Sequence, residues 1–505
     1  MSVSPHIVLV NPTIAKPRHA RFPLAVLSLS SALQPTRTST IVDGNVDRSY
    51  IPNALRAIEA HDTRAVGVSV MGGPQLVSAI ALSKAVRERF PSLPIVWGGH
   101  FPTSIPEGAL RAPYVDFVVR AQGEQTFKEL LDALDGGADP VALEPIKGLS
   151  WRAADGTPRH NALRPFSPAS LASEPAYDRL GDLRRYMTPT YLGRRTAAYQ
   201  AALGCRFRCT FCGVATMFRG RMALPTAERL EQDLLFLKQQ AGADALQFYD
   251  HNFFDREVDM VPLLEVLARV QLPWWCFARS DALVNLSERS WALVRKSRLR
   301  MAYIGAESPS DWLLHDIRKG TRSDQTLEAV EVCRRNGVIP ELSFMLAPPH
   351  DPEGETEKTF EFIRLIKRRY PPTEIMLYVY TPLPAVPGSG KAAPRSGAQL
   401  LDTAGNPVQF PETADDWARP EWVSYWCHGD APWVTPRLQQ RIRDFTTVLG
   451  CRFPTITDIR SPPWGKWMLQ GLASWRYRYA RYDRPWELNF SRKFVRLWDP
   501  RVSSL

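Results

Sequence analysis

From Thr196 to Tyr380, six apolar runs of strand length alternate with helical stretches. They are TAAYQAA (196–202), ALQFYD (245–250), WWCFAR (274–279), MAYIGA (301–306), ELSFML (341–346) and EIMLYVY (374–380). Strands that alternate with helices are joined by right-handed crossovers into a parallel sheet. Six units are too few for a closed eight-stranded barrel, so the pattern predicts an open, partial (β/α)6 barrel. A shorter series precedes it: HIVLVNP (6–12), STIVDG (39–44), AVGVSV (65–70), PIVWGG (94–99) and VDFVVR (115–120). Helical patterns such as 23–33, 75–90 and 124–134 separate these runs, which predicts an α/β, doubly wound, Rossmann-like domain. A hairpin over 149–161, turning at Asp155-Gly156, punctuates its end. The expected division is 1–145 for the Rossmann-like domain, 146–194 for hairpin and linker, 195–395 for the partial barrel, and 396–505 for a mainly helical remainder.

GCRFRCTFCG (204–213) follows the first barrel strand and holds Cys205, Cys209 and Cys212, three of the chain's 7 cysteines. A disulfide framework would leave one thiol over, and MSVSPHIVLVNP lacks the regions of a secretory signal. A closed zinc site needs a fourth ligand, and no Cys or His follows until His251. Three thiolates with one position open describe a metal centre that does chemistry, at the strand ends where barrels collect it. No apolar run approaches the ~18–20 residues of a membrane span, so the expected compartment is the cytoplasm, where thiols stay reduced. The net charge of +11 is spread along the chain apart from an Arg-rich tail, so nucleic acid is not an expected partner.

The remainder changes character, with nine of the 15 tryptophans beyond residue 400. TPRLQQRIRDFTTVLG (435–450) predicts a helix with Thr435 as N-cap, Pro436 at N1 and Gly450 as stop. The segment 475–501 interleaves aromatics with arginines. It is open to three readings: an Arg face over an aromatic core, a lid over a bulky substrate, or a membrane-surface contact.

The Cys205-x3-Cys209-x2-Cys212 spacing, with Phe211 before the third cysteine, resembles the radical S-adenosylmethionine (SAM) signature. FYDHNFF (248–254) resembles the strand-two segment of that family, with His251 where a second acidic residue is usual. ARSD (278–281), GAESPSDWLLHDIRKG (305–320), MLAPPHDPEGET (345–356) and YTPLPAVPGS (380–389) resemble its later motifs. The resemblance implies three thiolates on a [4Fe–4S] cluster, SAM on the fourth iron, and reductive cleavage of SAM to a 5′-deoxyadenosyl radical. It also makes Asp250, Arg279, Glu307 and Ser308 candidate cofactor-binding residues. Simpler readings stand beside these: Asp250 as a helix cap, Glu307 as a helix-entry carboxylate, Arg279 and Asp281 as a barrel ion pair.

The first domain, with VDGNVD, GVSVMGG, VWGGHFPT and VVRAQGEQTFKELL, resembles the cobalamin-binding domain that precedes many radical SAM barrels. The two resemblances cover roughly residues 6–390. Ser69, Gly98 and Gly99 would let the corrin's nucleotide tail approach the backbone, although turn glycines are the simpler reading. Asn45 stands where methionine-synthase-type domains carry a cobalt-ligating histidine. The cobalt's lower face is therefore expected to meet water or an apolar side chain from the 69–73 turn.

The resemblance implies a cobalamin-dependent radical SAM methyltransferase acting on an unactivated carbon of a small, bulky hydrophobic molecule. It would use methylcobalamin and a second SAM, with a reducing partner such as flavodoxin or ferredoxin. The alternative is a non-methylating relative such as the anaerobic Mg-protoporphyrin ester cyclase. A methylthiotransferase would carry further N-terminal cysteines, and none precedes Cys205. A cobalamin sensor would not need the 205–212 cluster.

Overall fold

The structure, a computed structural model, describes residues 5–168, 175–384, 399–459 and 461–495. The first series forms strands β1 (His6–Asn11), β2 (Thr38–Asp43), β3 (Thr63–Ser69), β4 (Ile95–Gly98) and β5 (Phe117–Val119). The hairpin supplies β6 (Leu149–Arg152) and β7 (Pro158–His160). Together they make one sheet in the order β2-β1-β3-β4-β5-β6-β7. The first five strands pair in parallel, and β6 and β7 add antiparallel to β5. The hairpin is thus an edge of the Rossmann-like sheet. Val8, Val10, Val66, Val68, Ile95 and Trp97 are buried, as strands covered on both faces require. The order 2-1-3-4-5 has its switch point between β1 and β3, and such sheets take ligands beyond the strand C-termini.

The second series forms β8 (Thr196–Tyr199), a short antiparallel pair β9 (Leu203–Gly204) and β10 (Met222–Ala223), then β11 (Ala245–Phe248) and β12 (Trp274–Ala278). It ends with β13 (Leu299–Glu307), β14 (Ile339–Leu346) and β15 (Glu374–Val379). The sheet order is β15-β14-β13-β12-β11-β8, all parallel, which is the expected partial barrel. Alternation along each strand sorts the side chains into two layers. Phe248, Trp274 and Phe253 pack edge to face in one layer, while Tyr249, Trp275, Phe277 and Tyr303 meet one another in the other.

Beyond the barrel lie helices Ala414–Trp417, Pro420–His428, Pro436–Arg452, Pro463–Arg478 and Trp486–Ser491. Thr435 caps the third as expected, its hydroxyl accepting from Leu438 N at 3.1 Å. The expected stop at Gly450 is corrected: the helix runs two residues further, because Cys451 is buried in the core. The chain leaves the helix at Phe453-Pro454, where the proline disfavours helical geometry in the residue before it. Residues 385–389 of the YTPLPAVPGS motif and 496–501 of the aromatic tail lie outside the described residues.

Candidate active site

The cysteine loop is pinned from three sides. The β9–β10 pairing closes its base, Thr210 N donates to Ile317 O at 3.0 Å, and Cys212 begins helix Gly213–Phe218. Burial pushes all three thiols up, Cys212 to about 11 with help from the charges of Cys209 and Cys205. Lys319 and Arg279 pull Cys209 the other way. Thiolates held here therefore need positive charge. Among the described residues no three Cys, His, Asp or Glu side chains converge on one ion. That suits a cluster, whose thiolates each hold a different iron. Three thiols on one short loop, with Lys319 and Arg279 acting on Cys209, fit an iron–sulfur cluster.

The residues expected around SAM gather at the C-terminal ends of β11 to β13. Arg279 directs Nε and Nη2 to the two carboxylate oxygens of Asp281, both at 3.0 Å, so the barrel ion pair is real. It does more than close a pair: its guanidinium lies 3.5 Å from the centroid of Phe207, stacked on the cysteine loop. Glu307 sits at a register shift between β13 and β14, with φ +61°, a conformation uncommon for a side-chain-bearing residue. Its carboxylate accepts from Lys319 Nζ at 2.7 Å in a buried pair. A Cβ on Gly305 would run into both partners, so the glycine makes room for them. Ser308 is buried and its hydroxyl accepts from Ser310 N at 2.9 Å. Asp250 is wholly buried and accepts from Ala202 N, which ties β11 to the strand before the cysteines. Burial holds its carboxyl up at about 8, and its second oxygen has no hydrogen-bond partner among the described residues. The backbone Asp250 braces is the segment that leads into the cysteine loop.

A cavity of 640 Å³ separates the barrel from the Rossmann-like sheet. One wall is the C-terminal edge of that sheet, including Ser69, Gly98 and Gly99. The opposite wall includes Gly213, Val214 and Met217 of the helix that Cys212 begins. Gly99 has φ +104° and packs on the Val70 backbone, so it is a turn glycine. Gly98 differs: a Cβ there would meet nothing nearer than Val119 O at 3.7 Å, so its bareness only widens the cavity. This glycine-walled crevice fits the tail of a large planar cofactor.

Asn45 is not among the cavity's lining residues. Its Oδ1 accepts from Ile14 N at 2.8 Å and Ala15 N at 2.9 Å, and its Nδ2 donates to Asp43 Oδ1 at 2.9 Å. Its polar atoms are thus committed to clasping two loops. The sequence reading missed His100, which reaches the cavity from the turn after β4 and lies against Gly213, beside Cys212. It also passed over Lys319, although both residues stand inside motifs quoted for the resemblance.

Comparison with known proteins agrees with this arrangement. Residues 11–131 match the B12 binding domain family and residues 199–363 the Radical SAM superfamily. An uncharacterized methyltransferase of Pyrococcus horikoshii is 27% identical over 353 residues, covering 69% of this chain and 74% of the relative. The anaerobic magnesium-protoporphyrin IX monomethyl ester cyclase of Synechocystis is 24% identical, covering 77% and 76%. The fold matches that of the radical SAM methyltransferase TsrM from Kitasatospora setae, with cobalamin and a [4Fe–4S] cluster bound. The TM-score is 0.60 at 18% identity, over 95% of this chain and 100% of that one. With both domains present in that order, the cysteine loop inside the second and a glycine-walled cavity against the helix that follows it, the chain belongs to the cobalamin-dependent radical SAM enzymes.

Proposed function

We infer that this enzyme is a methyltransferase acting on an unactivated carbon of a small, bulky hydrophobic substrate. One observation carries the reading: the helix begun by Cys212 and the bare Gly98 edge face each other across one cavity. A substrate there would lie between both cofactors, the positioning that a transfer between them requires. When bound, the cluster with SAM would supply a hydrogen-abstracting radical and cobalamin a methyl group. The chain's part is to hold and to exclude. Cys205, Cys209 and Cys212 would hold iron, with the Arg279 and Lys319 cations offsetting the thiolate charge. Glu307, fixed by Lys319, and Ser308 would meet the polar end of SAM. Tyr249, Trp275, Phe277 and Tyr303, which meet one another along the barrel strands, would help to exclude water.

In labelled SAM turnover, a methyltransferase forms 5′-deoxyadenosine and S-adenosylhomocysteine in about equal amounts. A cyclase forms the first without matching amounts of the second, and that result would move the assignment to the cyclase relative. Cys209→Ala should remove both the iron–sulfur absorbance and SAM cleavage while the fold persists; full cleavage by this variant defeats the assignment.

A flavodoxin or ferredoxin as reducing partner has a face to meet. A second cavity, of 510 Å³, has Cys209 and Cys212 in its wall and Arg164, Arg208, Arg219 and Arg221 around it. Arg164 is paired with Glu129, whereas Arg208 and Arg221 are exposed with no ion-pair partner among the described residues. Acidic donors are steered to such a surface. Reversing Arg208 and Arg221 to Glu should slow reduction by flavodoxin at least tenfold at low salt and leave reduction by dithionite unchanged. Equal loss with both reductants would place the arginines in the cofactor site instead.

A further inference from the structure

Helix Pro463–Arg478 carries two opposed apolar faces. Gly465, Leu469, Ala473 and Tyr477 are buried, packing the helix onto the core. Trp464, Trp467, Trp475 and Tyr479 follow one another at helical spacing through Gly471 and stay in solvent, Trp467 at 78% exposure. Trp486, Phe490 and Phe494 continue the pattern in the next helix and its end, Trp486 at 74%. Buried Arg476 fastens the second helix to the first, pairing with Glu487 and donating to Asp483 O at 2.9 Å. The two helices that carry the rings are therefore tied to each other.

The face is cationic as well as aromatic. Arg478, Arg481, Arg484 and Lys493, from these two helices and their flanks, are exposed and have no ion-pair partner among the described residues, and Arg478 lies over the Tyr479 ring. Its two carboxylates are spoken for, Glu487 by Arg476 and Asp483 by Arg441 at 3.1 Å. Beside the rings opens a cavity of 650 Å³ whose wall includes Arg368, Arg452 and Arg478, together with Lys367 and Glu374. None of these exposed rings lines the cofactor cavity. The helix packs on Pro436–Arg452, whose Phe445 stacks at 3.7 Å on Phe360 of helix Pro352–Arg369. The aromatic face is thus a layer outside the barrel, apart from the cofactor cavity.

We propose that this face lays the protein on an anionic lipid bilayer, with the Trp464, Trp467, Trp475, Tyr479 and Trp486 rings at headgroup depth and the arginines against lipid phosphate. Tryptophan and tyrosine are the side chains that settle at that depth, and unpaired cations beside them select anionic lipid. A second copy of the chain is a poor occupant, because a two-fold interface would bring the same unpaired cations together. The proposal is independent of the methyl-transfer reading, since it involves no cofactor residue.

The full chain should co-sediment with vesicles of phosphatidylglycerol and phosphatidylcholine in equal parts, and only weakly with phosphatidylcholine alone. Its tryptophan emission should be quenched by brominated lipid. The W467S/W486S variant changes exposed rings only, so it should fold normally and bind at least tenfold more weakly. Each of R481Q and R484Q should weaken binding to the anionic vesicles roughly fivefold, about 1 kcal/mol per charge, without effect on phosphatidylcholine. Absence of binding to the anionic vesicles, unaltered binding by W467S/W486S, or concentration-dependent dimers that bury the rings without lipid quenching would each overturn it.

Discussion

Two aromatic regions follow each other in the last hundred residues, and the fold treats them oppositely. In the first, Trp417 is 1% exposed and meets Phe101, Trp422 and Trp426 edge to face. Trp426 lies over Gly72 and beside His100 of the Rossmann-like domain, while Trp433 donates to Ala347 O and Tyr425 to Pro382 O on the barrel side. Asp415 receives Tyr114 and Lys84, both at 2.7 Å. This region is a strap across the two α/β units. In the second region, Trp464, Trp467, Trp475 and Trp486 meet solvent. Tryptophan content does not separate core from surface; in the first set Trp417, Tyr425 and Trp433 are buried and Trp422 and Trp426 half-buried, because other segments are shaped to receive them.

The contrast breaks most visibly by truncation. Trp417→Ala should cost about 3–5 kcal/mol, the range for a large aromatic removed from a core. Trp467→Ala should change stability by no more than about 0.5 kcal/mol. Chemical denaturation of both variants checks this, and equal losses would remove the distinction between the two regions.

Glycines sharpen it on a smaller scale. A Cβ at Gly72 would run into the Trp426 indole, so Gly72→Ala should cost about 1–3 kcal/mol as the strap lifts. Gly98→Ala meets its nearest protein atom at 3.7 Å and should leave stability within about 0.5 kcal/mol. Its methyl group would instead intrude on the cavity, so cobalamin retention on a sizing column should fall. Normal retention by Gly98→Ala would reduce that residue to a turn glycine like its neighbour.

Local periodicity sufficed for much of the fold. Six apolar runs became six parallel strands, Thr435 became the cap it was read as, and the cysteine spacing placed three thiols at a strand end. These depend on neighbours within a few residues, where backbone geometry and side-chain chemistry act directly. Residues brought together from far along the chain escaped such reading. Nothing local to Asn45 announces that its amide clasps Ile14 and Ala15, because that contact exists only once two loops are packed together. His100 stands more than a hundred positions from Gly213, and the domain interface sets them in contact. Gly450 stayed helical because Cys451 had a core to enter. The tryptophans beyond 400 showed bulk and apolarity in the sequence; which of them found a complementary surface was decided by tertiary packing, because burial needs a matched partner and composition does not specify one.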